Sequence, residues 1–479
     1  MRKQKRQPVL ENILVESCAA EGKSLARVDG KVIFIEGTVP GDVVDIQIIK
    51  SKKDWAEAYP LAFKQKSLDR VEPFCSHFGI CGGCQWQMLP YEKQLQNKFQ
   101  QVVDNLSRIG KVALPAIQPI LGANQTEGYR NKIEYTFATR RFVPKEELWA
   151  LKKQFPDATA NELAMSEGGA AGFHAKGMFD KVVKIDTCHL QAEPTNAIRT
   201  AIVQFAKEHN ASFYDIKQHT GWLRNVVIRI ATTGQIMVNV VLGSVDKKLQ
   251  PLLLNSLLQQ FTEITTLLYT INTKFNDSIY DLEPIAYHGK GYIEERLENF
   301  VFKISPKSFF QTNTQQAEQL YRITRNFAEL SGTQTLYDLY CGTGSIGIFC
   351  SEKAAKVVGV EVIEDAIADA KENAALNGIE HSFFTAGDVA TICDDAFFDT
   401  HGKPDVIITD PPRAGMHEKL VSKLLEMEAP IIVYVSCNPA TQARDLALLD
   451  AKYVVTQIQP VDMFPHTHHI ENVVQLKLR

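Results

Sequence analysis

The sequence of 479 residues contains no long hydrophobic run. No apolar stretch reaches the roughly 18 residues that a helix needs to cross a bilayer. The first segment, MRKQKRQPVLENILV, has no apolar core of the kind found in signal peptides. These absences argue against a membrane or secreted protein, so we expect a cytoplasmic protein with no membrane partner.

The sequence also has no strong excess of charge of one sign. Its 52 basic and 56 acidic residues leave a net charge of -4, which gives no overall signature of nucleic-acid binding. Basic residues are nevertheless concentrated in two places, a basic arm and a stretch that also holds Tyr129, Tyr135 and Phe137. The arm contains Arg2, Lys3, Lys5 and Arg6, and the stretch contains Arg130, Lys132, Arg140, Arg141 and Lys145. Either run can be a nucleic-acid contact or ordinary surface charge.

Nine cysteines are present, and in a reducing cytosol they are not expected to form disulfides. Cys75, Cys81 and Cys84 have the spacing C-x5-C-x2-C and include two glycines that let the backbone wrap tightly. Cys188, the next cysteine in the chain, is the best candidate for a fourth ligand. A site with four sulfur ligands suits a [4Fe-4S] cluster or a structural zinc ion, and the spacing does not decide between them.

The composition is that of a globular protein, and the length predicts two to four domains. Residues 1–66 contain short β-branched runs separated by turns, which predicts a small antiparallel β-barrel. The segments 22–29 and FIEGTVPGDVV (34–44) resemble the TRAM domain, and that resemblance implies RNA contact.

Residues 67–305 are predicted to form a central α/β domain. It contains the cysteine loop, an amphipathic helix over 91–110, and an alternating strand, YRNKIEYTFATRR (129–141), whose charged positions we expect to face RNA. The segment 143–171 is predicted to be a helical insertion without chemistry.

Residues 306–479 are predicted to form a doubly wound α/β domain. A buried strand runs into CGTGSIG (341–347), and further strands end at Glu361, Asp388, Asp410 and Cys437. Ligands bind at the carboxyl edge of such sheets, so these groups should line one crevice. Two prolines follow Asp410 and fix its turn, which a dehydrogenase does not require.

Seven motifs together resemble the RNA (uracil-C5) methyltransferase family, in particular its 23S ribosomal RNA branch with a TRAM domain and an iron-sulfur cluster. They are CxxxxxCGGC (75–84), YRNK (129–132), SFFQTN (308–313), DLYCGTGSIG (338–347), DPPR (410–413), SCNPAT (436–441) and HHIE (468–471).

The resemblance implies S-adenosylmethionine bound by Gln311, Tyr340, Glu361 and Asp410. It implies Cys437 as nucleophile and Glu471 as base. It also implies a [4Fe-4S] cluster on Cys75, Cys81, Cys84 and Cys188. We expect RNA as the partner, 23S rRNA in preference to tRNA, and a monomer.

The residue types fit the chemistry. C5 of uracil is a poor nucleophile, and a thiolate that adds to C6 activates it, which is covalent catalysis. A base such as Glu471 must then remove the C5 proton. Because C6 is hidden in a base stack, the uridine has to be flipped out or lie in a loop, and Arg413 is placed to contact a phosphate or the base.

Three other functions fit parts of the sequence. An amino-group methyltransferase fits the Asp-Pro-Pro turn but leaves Cys437 without a role. A non-catalytic RNA-binding factor fits the barrel but does not need Glu471. A nicotinamide oxidoreductase with an iron-sulfur cluster fits the glycine turn but not DPPR.

Overall fold

The computed structural model describes residues 8–165 and 168–479, and the predicted basic arm at residues 2–6 lies outside them. Three large sheets follow one another along the chain. No helix in the described part of the chain is both long and apolar enough to span a membrane.

The first sheet has six strands in the order β1-β5-β6-β4-β3-β2. The strands are β1 Val9–Leu14, β2 Ser17–Cys18, β3 Ser24–Val28, β4 Lys31–Ile35, β5 Val43–Ser51 and β6 Trp55–Gln65. Alternate side chains such as Ile33, Ile35, Val44 and Ile46 form its core, as the period of two in a strand requires. Most pairs are antiparallel, but β4 and β6 run parallel, which corrects the prediction of a purely antiparallel barrel.

Helix α1, Tyr91–Asn105, continues into a π-helical turn that ends at Gly110. The turn packs on the C-terminal domain, because a Cβ at Gly110 would lie 3.4 Å from the carbonyl oxygen of Ala443. The segment predicted as a helix belonging to the central domain therefore also supports the C-terminal domain.

The second sheet has seven strands in the order β13-β12-β11-β10-β7-β8-β9. Its strands are β7 Lys132–Ala138, β8 Ala170–His174, β9 Val182–Lys184, β10 Leu223–Ile230, β11 Ile236–Leu242, β12 Ile264–Ile271 and β13 Ile285–His288. Helices α4 Thr195–Glu208 and α5 Leu249–Gln260 bury their apolar residues on one face of it. The predicted insertion forms α2 Lys145–Gln154 and α3 Ala160–Met165.

The third sheet has the order β18-β17-β16-β19-β20-β22-β21. Its strands are β16 Thr335–Leu339, β17 Lys356–Glu361, β18 Ser382–Ala386, β19 Val406–Thr409, β20 Ile431–Ser436, β21 Tyr453–Val461 and β22 Glu471–Leu478. Strands β16 to β20 are parallel, and β22 joins β20 antiparallel. The predicted doubly wound architecture is confirmed, and the carboxyl ends of the parallel strands meet at one edge.

Helices lie on both faces of the third sheet, and the hairpin β14 Ile293–Leu297 with β15 Phe300–Ile304 precedes it. The helices are α6 Thr314–Phe327, α7 Ser345–Cys350, α8 Glu364–Leu376, α9 Val389–Ile392, α10 Asp395–His401, α11 Glu418–Met427 and α12 Pro439–Leu449. Two large apolar clusters, one on each face, bury the sheet and hold its edge rigidly.

Candidate active site

The glycine turn after β16 has the backbone shape that a close ligand approach needs. Tyr340, Gly342 and Gly344 all have positive φ, at 61°, 52° and 76°. A Cβ at Gly344 would lie 2.9 Å from the Phe384 ring, whereas one at Gly342 would meet nothing within 4 Å. Gly344 is thus required for packing, and the side of Gly342 that a Cβ would occupy is open.

Glu361 ends β17 beside this turn, as predicted. Its carboxylate accepts hydrogen bonds from the backbone N–H groups of Gly342 (3.3 Å), Val362 (2.8 Å) and Ile363 (3.1 Å). These bonds fix the carboxylate at the edge of the sheet, where the hydroxyls of a ribose can reach it.

Asp410 and Glu471 form an acidic pair at the same edge of the sheet. Burial raises the pKa of Asp410 to about 7. Burial and the negative charge of Asp410 raise the pKa of Glu471 well above its usual value, and Arg413 lowers it in part. Two carboxyl groups that repel each other in a poorly solvated site hold a proton at higher pH than either would alone.

Cys437 follows β20 and is half-buried. Its thiol pKa is raised to about 12, first by burial and then by the charges of Glu471 and Asp410, while Arg413 opposes the rise. Cys437, Asp410 and Glu471 also line one cavity. The side chain predicted to be the nucleophile and the one predicted to be the base therefore share one site.

Hydrogen bonds join the loop after β19 to the loop after β20. The Arg413 carbonyl oxygen accepts from Nδ2 of Asn438 (3.0 Å) and from Oγ1 of Thr441 (3.2 Å). The guanidinium of Arg413 lies 3.4 Å from the His469 ring, and burial lowers the pKa of His469 to about 3. This imidazole stays neutral and can hold Arg413 without adding charge.

One cavity of about 1320 Å³ is lined by Gly342, Arg413 and His469 together with predicted site residues. Of the predicted site residues, it is lined by Gln311, Tyr340, Glu361, Asp410, Cys437 and Glu471. A volume of this size accommodates a nucleotide-sized ligand together with a second group. Asp388, which was predicted to line the same crevice, is not part of this lining.

Asn131 of the YRNK motif holds the loop that carries Gln311. Its Nδ2 donates to the Gln311 carbonyl oxygen and to Oγ1 of Thr314, both at 2.8 Å. Its backbone N–H donates to the Thr312 carbonyl oxygen, also at 2.8 Å. One buried amide thus couples the central sheet to the cavity wall.

The aromatic side chains of the stretch 129–141, whose charged positions were predicted to face RNA, lie in the protein core. Tyr129, Tyr135 and Phe137 are buried in the core between the sheet and its helices. Arg140 pairs with Asp180 and Asp215, and Arg141 pairs with Glu147. Nζ of Lys145 lies over the Trp149 ring, 5.2 Å from its centroid. Of the basic residues in 129–141, Arg130 lines the cavity.

The segment 462–469, which leads to Glu471, is anchored by helix α1 and by the cysteine loop. Nζ of Lys98 in α1 lies 2.6 Å from the Asp462 carboxylate, with both side chains fully buried. The His466 carbonyl oxygen accepts from the N–H groups of Gln85 and Trp86 in the cysteine loop. Sequence reasoning missed this anchor, since Lys98 and Asp462 are far apart in the chain.

The four predicted ligand cysteines lie near one another. Burial raises the thiol pKa of Cys81 to about 11 and that of Cys84 to about 12. The charge of Cys188 adds to the rise at both thiols. The backbone N–H of Gly83 donates to Sγ of Cys81 at 3.4 Å. No set of three or more His, Cys, Asp or Glu side chains within residues 8–165 and 168–479 is arranged to hold a single metal ion.

The glycine turn, the fixed Glu361 and the acidic edge of a doubly wound sheet define an S-adenosylmethionine-dependent methyltransferase. Family models agree with this class. The model for tRNA (Uracil-5-)-methyltransferase matches residues 397–479, the TRAM domain model matches 10–61, and the Methyltransferase small domain model matches 317–430.

Relatives of similar length extend the comparison to nearly the whole chain. An uncharacterized RNA methyltransferase of Bacteroides thetaiotaomicron is 50% identical over 96% of this chain and 100% of its own. An uncharacterized RNA methyltransferase of Porphyromonas gingivalis is 47% identical over 96% of this chain and 98% of its own length. The chain belongs to the RNA (uracil-C5) methyltransferase family.

A solved structure shows the same architecture. It is the crystal structure of Pyrococcus abyssi tRNA (uracil-54, C5)-methyltransferase in complex with S-adenosyl-L-homocysteine, whose sequence is 26% identical to this chain. It superimposes with a TM-score of 0.73 and covers 98% of this chain and 100% of its own. The predicted family and fold class are confirmed.

Proposed function

We propose that this protein methylates C5 of one uridine in RNA, with 23S rRNA as the target, through a covalent adduct on Cys437 and proton removal by Glu471. One observation carries the proposal: Cys437 and Glu471 lie on neighbouring strand ends and line the same cavity as Glu361 and Asp410. An amino-group methyltransferase would need neither the thiol nor a second carboxylate there.

S-adenosylmethionine supplies an electrophilic methyl group when it is bound. The cavity fits this cofactor, since the Glu361 carboxylate is fixed by three amides and the Gly342 side of the turn is open. Gln311 and Tyr340 line the same cavity. We assign Gln311, Tyr340, Glu361 and Asp410 to cofactor binding.

The protein residues act in a fixed order. The Cys437 thiolate adds to C6 of the uracil, and the electron pair of the C5–C6 double bond moves to C5, which takes the methyl group. The Glu471 carboxylate then removes the C5 proton. The electrons left behind restore the double bond and expel the thiolate, which regenerates Cys437.

Charge at the site must change during this cycle. The raised thiol pKa of Cys437 means that the free protein holds the thiol protonated near neutral pH. A cationic cofactor beside Asp410 would offset the negative charges that raise the pKa values of Cys437 and Glu471. Neutralisation of Asp410 by a bound cofactor would lower the pKa of both the Cys437 thiol and the Glu471 carboxyl group.

We further propose that Cys75, Cys81, Cys84 and Cys188 hold a [4Fe-4S] cluster. The donor set fits, because four thiols of one neighbourhood supply only sulfur and two of them accept hydrogen bonds from backbone N–H groups. Methyl transfer as written needs no electron. The cysteine loop therefore acts in this proposal as a structural element beside the segment 462–469.

We propose three domains, 1–66, 67–305 and 306–479, in a monomer that acts in the cytoplasm. Each of the three large sheets falls within one of these ranges. A tRNA uridine is the second candidate target, favoured by the likeness to the Pyrococcus abyssi tRNA enzyme.

Trapping with RNA that contains 5-fluorouridine tests the reaction. Fluorine at C5 does not leave as a proton does, so the wild-type protein with S-adenosylmethionine should form a band of adduct on a denaturing gel. The Cys437→Ala protein should form none. Transcripts of 23S rRNA and tRNA are compared, and absence of adduct with both, despite cofactor binding, would overturn C5 methylation.

A further inference from the structure

Three neighbouring cationic side chains, Arg130, Lys132 and Arg229, form no ion pair with a carboxylate among residues 8–165 and 168–479. Lys132, at the start of β7, is paired in register with Arg229 of β10. Directly opposite residues of an antiparallel pair have Cβ atoms about 4.5–5.5 Å apart, and like charges at such positions destabilise a sheet. Arg130 lies two residues before Lys132 and lines the cavity. None of the three forms an ion pair with a carboxylate in the described residues.

The cluster also carries unused hydrogen-bond donors. Nε of Arg130 and Nε of Arg229 are both buried without a hydrogen-bond partner among the described residues. Arg229 is only 3% exposed, and its guanidinium donates to the Ser308 carbonyl oxygen at 2.6 Å. A buried donor without a partner is unfavourable, so an additional acceptor is expected here.

The surroundings of the cluster supply little negative charge. Glu134, two residues along β7, interacts with Lys132 electrostatically without pairing with it, and the Tyr280 hydroxyl is the group that favours the charge on Arg229. Arg224, on the same strand as Arg229, shows the contrast. Its guanidinium donates to three backbone carbonyls and to the Asp277 carboxylate at 2.8 Å.

The same face of the sheet has further polar atoms without partners. Asn225, Val227 and Arg229 alternate along β10, so their side chains lie on one face of the sheet. Asn239 of β11 is the register partner of Val227 and lies on the same face. Oδ1 of Asn225 and Nδ2 of Asn239 are buried and lack hydrogen bonds within the described residues. The opposite face is covered by the apolar residues of α4 and α5.

We propose that Arg130 and Lys132, with Arg229 behind them, bind a phosphate group of the RNA strand next to the uridine that enters the cavity. This inference rests on the proposed function and adds the position of the backbone. Arg130 lies on the wall that also carries Ser308 and Gln311, so a phosphate there sits at the edge of the reaction cavity. A phosphate offers several acceptor oxygens and the negative charge that the three cations need.

Salt-dependent RNA binding tests the site. The probe is whichever transcript, 23S rRNA or tRNA, forms the 5-fluorouridine adduct with wild type. Lys132→Gln should weaken RNA binding by about tenfold at low salt and lower the slope of log affinity against log salt by about one. Lys132→Arg keeps the charge and should restore most of the affinity and the slope.

The matched control is Lys207→Gln, on the exposed side of the helix that covers the other face of the same sheet. It should leave the affinity and the slope unchanged. S-adenosylmethionine affinity and the unfolding midpoint of each variant report correct folding. If the wild-type protein forms no adduct, the proposed function is overturned. If the wild-type protein forms the adduct but Lys132→Gln leaves the salt slope of RNA binding unchanged, only the phosphate site is overturned.

Discussion

Cys437 and Glu471 stand across from each other at the ends of two antiparallel strands, one position beyond the register pair Ser436–Asn472. Glu471 is also the register partner of Val461 in β21. Its backbone is thus held inside a sheet while its carboxyl group is directed to the cavity edge where Cys437 lies. Two groups placed by backbone hydrogen bonds need little reorganisation when a substrate arrives.

The base assignment predicts a specific defect in Glu471→Gln. Methyl transfer should still occur, but the C5 proton should remain, so the covalent adduct should accumulate even on RNA with ordinary uridine. Turnover should fall by about 10²–10⁴-fold. Denaturing gels and single-turnover methyl transfer measure the two steps separately. The exposed Glu380→Gln serves as control, and wild-type turnover in Glu471→Gln would remove Glu471 from the mechanism.

Much of the catalytic edge was predictable because its signals are local. Each of β16, β17, β19 and β20 is a short apolar run that ends in a polar or glycine-rich turn, and parallel strands bring such ends to one edge. Asp410 and Cys437 therefore appear in the predicted crevice. The pattern required no knowledge of distant contacts.

Other parts of the site were not predictable because they depend on tertiary contacts. Alternation along 129–141 shows which residues share a face, but not that helices cover the face with Tyr135 and Phe137. The signal for Arg229 was a lone cation in the apolar run VVIRI, and its neighbour Lys132 is known only from the strand register. The pair Lys98–Asp462 joins residues 364 positions apart.

The buried Asp338 predicts a pH-dependent stability. It accepts the Gly347 N–H at 2.8 Å, while burial raises its pKa to about 7, with smaller effects of Asp410 and Glu361. A carboxyl group with a raised folded-state pKa stabilises the fold fully below its unfolded pKa of about 3.9, and that contribution is lost as pH rises toward 7. The loss approaches about 1.4 kcal/mol per pH unit within this window.

The measurement compares wild type with Asp338→Asn, which keeps the acceptor and cannot ionise. Urea unfolding at pH 5, 6 and 7, values that lie within the window of about 4 to 7, should show wild type losing stability relative to the variant as pH rises. If the free energy of unfolding depends on pH equally in the two proteins, Asp338 does not have the raised pKa that its buried position implies.

The buried pair Lys98–Asp462 predicts a large loss of stability when one partner is removed. Lys98→Met leaves a buried carboxylate without its cation and should lower the free energy of unfolding by about 3–5 kcal/mol. Lys98→Met combined with Asp462→Asn should recover part of this loss. The exposed pair Lys452–Glu428 is the matched control, and Lys452→Met should cost less than about 1 kcal/mol. Equal effects of the two single variants would contradict the buried ion pair.

The cluster proposal predicts that Cys81→Ser loses iron and sulfide, together with absorption in the visible range, after anaerobic purification. The cysteine loop donates two N–H groups to the His466 carbonyl oxygen, on the segment that leads to Glu471. Loss of the cluster should therefore loosen this segment and weaken RNA binding. The melting temperature should fall by several degrees, since a loss of about 1 kcal/mol in the free energy of unfolding corresponds to about 2–4 °C in a domain of this size.

Cys18→Ser, a half-buried thiol in the first sheet, is the control and should retain iron, melting temperature and RNA affinity. Comparison of the two variants separates the cluster from a general effect of losing a thiol. A Cys81→Ser protein without iron that folds normally and binds RNA as wild type does would contradict the structural role. Iron retained in Cys81→Ser would instead contradict its assignment as a ligand, because a serine hydroxyl is a poor substitute for a thiolate on iron.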